Sequence, residues 1–146
     1  MELAALFATA FLAATIVPFS SEAALAGLVV LDRDGWPWLV MVAAAGNILG
    51  SIANWGIGCA LAAGRERPWF PVRPATLERA RATFGRFGTW SLLFAWVPWI
   101  GDPLTVAAGL LRVPLPRFIA LVGIGKTARY LAVAWGALEV AARTVG

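Results

Sequence analysis

Apolar positions fill four long stretches of this chain, about 3–31, 35–63, 89–111 and 115–142, and polar residues gather between them. Each stretch is long enough to reach into or across the ~30 Å hydrocarbon core of a bilayer. Within the first, an Ala/Leu/Phe-rich helix over 3–16 meets Pro18, whose missing N–H and ring clash stop or kink it. Ser20, Ser21 and Glu22 then suit the start of a second helix over 21–31, since an acid is favoured at the positive end. Asp32-Arg33-Asp34-Gly35 reads as a polar turn, and Trp36 and Trp38 after it suit a headgroup belt. Residues 36–63 are predicted to span the membrane.

The next segment, "GRERPWFPVRPATLERARATFGRFG", is basic and different in kind. Leu77, Ala80, Phe84 and Phe87 recur in it at helical spacing, which predicts an amphipathic helix over 75–87 lying on the membrane surface. The alternative is an ordinary solvated linker helix. After it the first design returns. A helix is predicted from residue 89, a break at "VPWIGDP", a second helix ending near Leu111, and a last helix over about 117–142. That last helix carries Lys126 and Arg129 in its middle.

The return is a repeat. "VPFSSE" at 17–22 and "VPWIGD" at 97–102 share Val-Pro-aromatic, two residues, then an acid, Glu22 or Asp102. Asn47 of the pair Gly46-Asn47 follows Glu22 by 25 residues, and Lys126 of Gly125-Lys126 follows Asp102 by 24. Trp55-Gly56 and Trp135-Gly136 continue the register. The halves, about 3–63 and 89–142, therefore read as copies joined by a linker over 64–88. Their breaks fall at Pro18, Ser20 and Ser21 in one half and at Pro98, Gly101 and Pro103 in the other.

Two topologies fit such copies. If 3–31 and 89–113 cross the membrane, the copies are parallel. If they are re-entrant hairpins, each half crosses once and the copies are inverted. The hairpin version collects eight arginines, in 65–86 and at 112 and 117, on one face and leaves Arg33 and Arg143 on the other. The crossing version divides them seven to three, so the positive-inside bias favours hairpins. Irregular backbone at membrane depth also needs protein or a wet cavity around it, as in transporters built from inverted repeats with broken helices. The fold expected is an all-α integral membrane protein, an inverted repeat of re-entrant hairpin plus transmembrane helix with an interfacial amphipathic helix between the halves. Both termini are expected on the non-cytoplasmic side and the basic loop 65–88 in the cytoplasm.

Composition agrees. The 146 residues are 60% hydrophobic and 14% charged, against about a quarter charged in soluble domains, and mean hydropathy is +0.77. One membrane domain over 1–146 is expected. Met1-Glu2 supplies no basic region ahead of the first apolar run, which argues against a signal peptide. The net charge of +4 resides mainly in one connecting loop, so no nucleic-acid partner is expected. Cys59 is the only cysteine, and with no histidine the usual metal ligand and neutral-pH base are missing. Neither a metal nor another cofactor is expected. Ser20 and Ser21 have no histidine to activate them, and no phosphate-cradling motif occurs, so the chain is not expected to be an enzyme.

The candidate chemistry lies in the buried charges. Lys126 and Arg129 fall near mid-bilayer at i and i+3, on one face of their helix. Asn47 falls at similar depth, heading a stripe Asn47, Gly50, Asn54, Gly58 suited to close packing and hydrogen bonding. A charge at the bilayer centre costs at least ~2.5–3.5 kcal/mol, so these groups must pair, neutralise or line water. In one reading Glu22 and Asp102 simply neutralise Lys126 and Arg129 and lock the bundle. In the other the bases bind an anion, the acids load protons, and Asn47 and Asn54 line the path. Asn47 and Asn54 serve equally well as packing. Trp96 and Trp99, beside the second break, read as packing more than gating.

Four blocks, "ATIVPFSSE", "GNILGSIANWGIG", "WVPWIGDPLTVAAGLLRV" and "GIGKTARYLAVAW", resemble the DedA family, the VTT or SNARE-associated Golgi protein superfamily, in its short YqaA-like branch. The resemblance implies opposed re-entrant hairpins, a cytoplasmic amphipathic helix and a bacterial inner-membrane location. It also implies movement of lipid-linked phosphates such as undecaprenyl phosphate, dependence on the proton-motive force and, in eukaryotic relatives, phospholipid scrambling. The family's acid of the first hairpin maps onto Glu22. The arginines that better-studied members carry around the second proline are replaced here by Ala95-Trp96-Val97-Pro98, with Gly101-Asp102 following. Lys126 and Arg129 are left to supply positive charge. The expected partners are membrane lipids, a lipid-linked phosphate among them, protons, and a second copy in a dimer. The contrasting expectation is a non-transporting assembly or envelope-homeostasis factor whose charges are structural.

Overall fold

Among the described residues two helices are long enough to cross a bilayer, and the other helical elements are short. The computed structural model describes residues 1–14, 20–63, 74–97 and 99–145. Pro18 and Pro98, expected at the breaks, and Arg65, Arg67 and Arg73 of the basic loop lie outside the described residues. In chain order the elements are α1 (Glu2–Ala13), α2 (Ser20–Leu31), α3 (Trp36–Ala62), α4 (Pro74–Phe87), a 3₁₀ helix (Gly88–Trp96), α5 (Gly101–Leu110) and α6 (Leu115–Val145). With 27 and 31 residues, α3 and α6 run about 40 and 46 Å, beyond the ~30 Å of hydrocarbon. The 12 residues of α1, the 12 of α2 and the 10 of α5 reach only about 15–18 Å each.

The first leg of the second half is not an α-helix as expected. Gly88, at φ +63°, breaks the chain out of α4 in a conformation that a Cβ disfavours, and it opens a 3₁₀ helix of nine residues. At 2.0 Å rise those nine residues span about 18 Å, as far as the twelve residues of α1. The tighter winding lets a shorter sequence reach the same depth.

Packing repeats between the halves. The first legs, α1 and the 3₁₀ helix, lie against the long helix of their own half, α3 and α6 respectively. The second legs cross over: α2 packs on α6, and α5 packs on α3. Glycines make these approaches possible. A Cβ at Gly46 would come within 2.6 Å of the Phe7 carbonyl oxygen, and one at Gly125 within 2.6 Å of that of Leu93. Leu6, Ala10 and Ala13, spaced to share a face of α1, are the buried residues of that helix.

The ends sort to two faces. Arg33 in the turn after α2 donates to the Ala141 carbonyl near the end of α6, at 3.2 Å. The start of α1 meets the end of α2 there, Glu2 and Leu3 sharing a groove with Leu28 and Leu31. At the other end of α3, Trp55 Nε1 donates to the Val113 carbonyl at 3.0 Å and Cys59 Sγ to that of Gly109 at 3.3 Å. Both partners lie at or just beyond the end of α5. Helix α4 covers α5 and the 3₁₀ helix, burying Ala80 and Phe84 with Leu92, Ala95 and Leu104. Those two positions of the amphipathic stripe, expected to face the membrane, are thus covered by protein, while Phe87 stays exposed beneath the Arg86 guanidinium.

Two apolar cores result. One joins α4, the 3₁₀ helix, α5 and Phe118, Leu121 and Val122 of α6; the other joins α1, α2, the first part of α3 and Tyr130 and Ala134 of α6. On α6 the residues between 122 and 130 are left for something else, and there Lys126 and Arg129 stand.

Candidate functional site

Asn47 and Lys126 each lie eleven residues past the first residue of their long helices, about 16 Å along the axis. Lys126 is 4% exposed, and its Nζ donates to Asn47 Oδ1 at 2.5 Å. The amide's other end is occupied as well, Nδ2 donating to the Ala10 carbonyl at 3.0 Å. That carbonyl belongs to the last turn of α1, where intrahelical donors run out. Asp102 Oδ1 stands 3.7 Å from Lys126 Nζ, in the first turn of α5. Three elements therefore meet on one ammonium group.

Arg129, one turn along α6, uses its fork in two directions. Nε pairs with Glu22 Oε1 in the first turn of α2, and Nη1 donates to the Trp96 carbonyl at the end of the 3₁₀ helix. Each acid thus begins a short second leg, at the helix end whose dipole favours negative charge. Each pairs with a cation on α6. Beside the Glu22 pair, the hydroxyls of Ser21 and Tyr130 bond at 2.9 Å, both buried.

Glu22, Asn47, Asp102, Lys126 and Arg129 line one pocket, joined by Tyr130 and Trp99. Its volume, about 30 Å³, holds one or two water molecules. Five of the six residues put forward for proton loading and anion binding therefore converge. Asn54 does not line that pocket: it is buried and donates to the Ala14 carbonyl at 2.8 Å, satisfying the end of α1 as Asn47 does. Of the residues proposed for the breaks, Gly101 lies where a Cβ would run into the Ala95 carbonyl, so it lets the two legs of the second half meet. Pro103 is buried in the first turn of α5, where its missing N–H has no helical partner to lose. Ser21 holds Tyr130, and Ser20 opens α2.

Sequence reasoning missed Tyr130. The signal was available, for it is the only tyrosine, and at i+4 from Lys126 it shares that residue's face. Trp99, read as packing, is 73% exposed at the pocket rim with φ +63°, an uncommon backbone for a bulky residue.

Comparison with known proteins places the chain in a family. The VTT domain model matches residues 17–136, and the chain belongs to that family. It is 36% identical over 137 residues to the inner membrane protein YqaA of Escherichia coli strain K12, covering 92% of this chain and 89% of that one. The Shigella flexneri protein of the same name matches equally. An uncharacterized protein of Haemophilus influenzae is 33% identical over 134 residues, with 87% of this chain and 82% of the relative covered. No solved structure matches the chain.

Proposed function

We propose that this VTT-domain chain is a small membrane transporter of the bacterial inner membrane. In this reading it moves an anionic, phosphate-bearing lipid or a small anion and couples that movement to protons. The observation that carries the reading is the layer of four charges on α2, α5 and α6, lining a pocket of about 30 Å³ between two apolar cores. Lys126 and Arg129 bind the anion, and Asn47 orients Lys126. Glu22 and Asp102 hold the cations until protons arrive. A proton on Glu22 removes the charge that occupies Arg129, so the anion is accepted as the proton is taken. Proton and anion then travel together with little net charge, which lowers the cost of crossing hydrocarbon.

The architecture supports an inverted arrangement. Neither leg of a pair is long enough to cross alone, and the start of α1 meets the end of α2 at one face. The end of α5 meets the end of α3 at the other. Read this way, 3–31 and 89–113 enter from opposite sides, the termini lie outside the cytoplasm and the basic loop 65–88 lies within it.

The test uses purified protein in phosphatidylcholine vesicles under an imposed pH gradient. Translocation of fluorescent phosphatidic acid and uptake of radiolabelled inorganic phosphate are followed separately. Wild type moves one of them and responds to the gradient; Glu22→Gln and Asp102→Asn proteins that fold lose that response. Variants that transport and respond as wild type does would remove the proton-loading role.

One set of observations favours a second reading. All four charges are already paired, and the pocket has room for water alone. A non-transporting assembly factor would use them as structural locks. It predicts that charge removal lowers Tm in detergent, with no transport by wild type to lose.

A further inference from the structure

The Glu22–Arg129 pair faces two ways. Inward it lines the polar pocket with Asn47, Asp102 and Lys126. Outward it borders an open groove of about 590 Å³ along α6, walled by Trp96, Ile124, Ala128 and Ala132. The last three recur every fourth residue, so they form one stripe, and small residues keep it concave. Helix α6 is one of the two helices apolar and long enough to span a membrane, so this stripe, halfway along it, faces hydrocarbon. The Lys126 side chain is 5% exposed, whereas those of Arg129 and Glu22 are 20% and 19% exposed. Of the two cations only Arg129 lines this groove, so from that side its guanidinium is reached first.

We infer that the groove along Ile124, Ala128 and Ala132 is a side entrance from the bilayer, with the Glu22–Arg129 pair as its door, and that its occupant is an anionic amphiphile. This rests on the transport reading and adds to it the route and the order of contacts. The occupant follows from charge and depth. A groove with apolar walls in hydrocarbon takes a hydrocarbon chain, and a guanidinium at its inner edge takes an anionic head. The head displaces Glu22 from Arg129, most readily when Glu22 carries a proton, and passes inward to Lys126 while the chain stays in the groove.

The experiment is photolabelling of the full-length protein in phosphatidylcholine vesicles with phosphatidic acid bearing a diazirine on its acyl chain, and with the matching diacylglycerol. Phosphatidic acid should label the 124–133 segment and Trp96 about tenfold more than diacylglycerol does, a difference worth about 1.4 kcal/mol. Ala128→Leu/Ala132→Leu, which fills the groove without touching the ion pair, should cut both this labelling and phosphatidic acid translocation about tenfold. Arg129→Gln should abolish the preference for the anionic probe. Equal labelling by both probes, or labelling and translocation that survive the leucines, overturns the entrance while leaving the transport reading standing. Disulfide-linked dimers of a Cys59→Ser/Ala132→Cys protein would put a second copy in the groove and overturn it as well. If wild type labels selectively but moves neither phosphatidic acid nor inorganic phosphate, the transport reading fails and the entrance with it.

Discussion

The two halves solve one packing problem with different chemistry. In the first, α3 approaches α1 through Gly46 and Gly50, and the amides of Asn47 and Asn54 satisfy carbonyls at the end of α1. In the second, α6 approaches the 3₁₀ helix through Gly125, and the guanidinium of Arg129 satisfies the Trp96 carbonyl. The donor is neutral in the first half and cationic in the second. Acids from both halves are then drawn to the cationic helix, Glu22 from α2 and Asp102 from α5. A close helix crossing needs a donor for the carbonyls of the shorter leg, and a neutral donor suffices. The charges on α6 are therefore an addition to the packing, which is why they are the residues to which a task is assigned.

The largest expected effect removes that addition. Lys126→Met leaves the Asp102 carboxylate and Asn47 Oδ1 without their cation, and breaking a buried pair from one side costs about 3–5 kcal/mol. Asp102→Leu/Lys126→Met should recover most of the loss, as seen in chemical denaturation of the purified protein. A double variant as unstable as the single one would mean that the second half needs its charges to pack.

Next comes a matched pair on the second legs. Gly109 on α5 lies where a Cβ would run into the Trp55 carbonyl, whereas a Cβ at Gly27 on α2 meets nothing within 4 Å. Gly109→Ala should destabilise by about 3 kcal/mol, the upper range for overpacking, and Gly27→Ala should stabilise by up to about 1 kcal/mol. Equal thermal shifts would show that the two crossings are not built differently. A smaller effect is expected at Asn54. Its replacement by alanine leaves the buried Ala14 carbonyl without its donor, costing about 1–3 kcal/mol. Transport per folded molecule should be unchanged, because the amide lies outside the pocket; a selective loss of transport would return Asn54 to the path.

The smallest test concerns the Trp-Gly landmarks. Trp55 is held by the Val113 carbonyl and sits against Phe118, ring centres 6.3 Å apart, whereas Trp135 is 70% exposed. The glycines beside them are alike, for a Cβ at Gly56 or Gly136 meets nothing within 4 Å. Gly56→Ala and Gly136→Ala should therefore both raise Tm slightly, by an amount equivalent to under about 1 kcal/mol. A divergence would show that one of these surfaces is covered in the membrane.

Much of this was legible along the chain because it depends on neighbours within a turn or two. Apolar length announced α3 and α6, the spacing of Ala80 and Phe84 announced α4, and the i, i+3 spacing of Lys126 and Arg129 put both cations on one face. The 3₁₀ winding of 88–96 was not legible, since "GTWSLLFAW" suits an α-helix equally well. Nor was the cover over Ala80 and Phe84, because an amphipathic stripe does not say whether lipid or protein will fill it. Asn47 and Asn54 had equal claims on the site by spacing. Only the crossing of α1 sent one amide to the pocket and the other to a carbonyl outside it.

Polarity and helical rise along the sequence determined membrane residence, the two long helices and the shared face of Lys126 and Arg129, and the four motif blocks carried the family. Which acid meets which base was decided by the tertiary structure alone. Glu22 reaches Arg129 and Asp102 reaches Lys126 because each second leg takes its own path past α6, and no local pattern encodes how such elements close on one another.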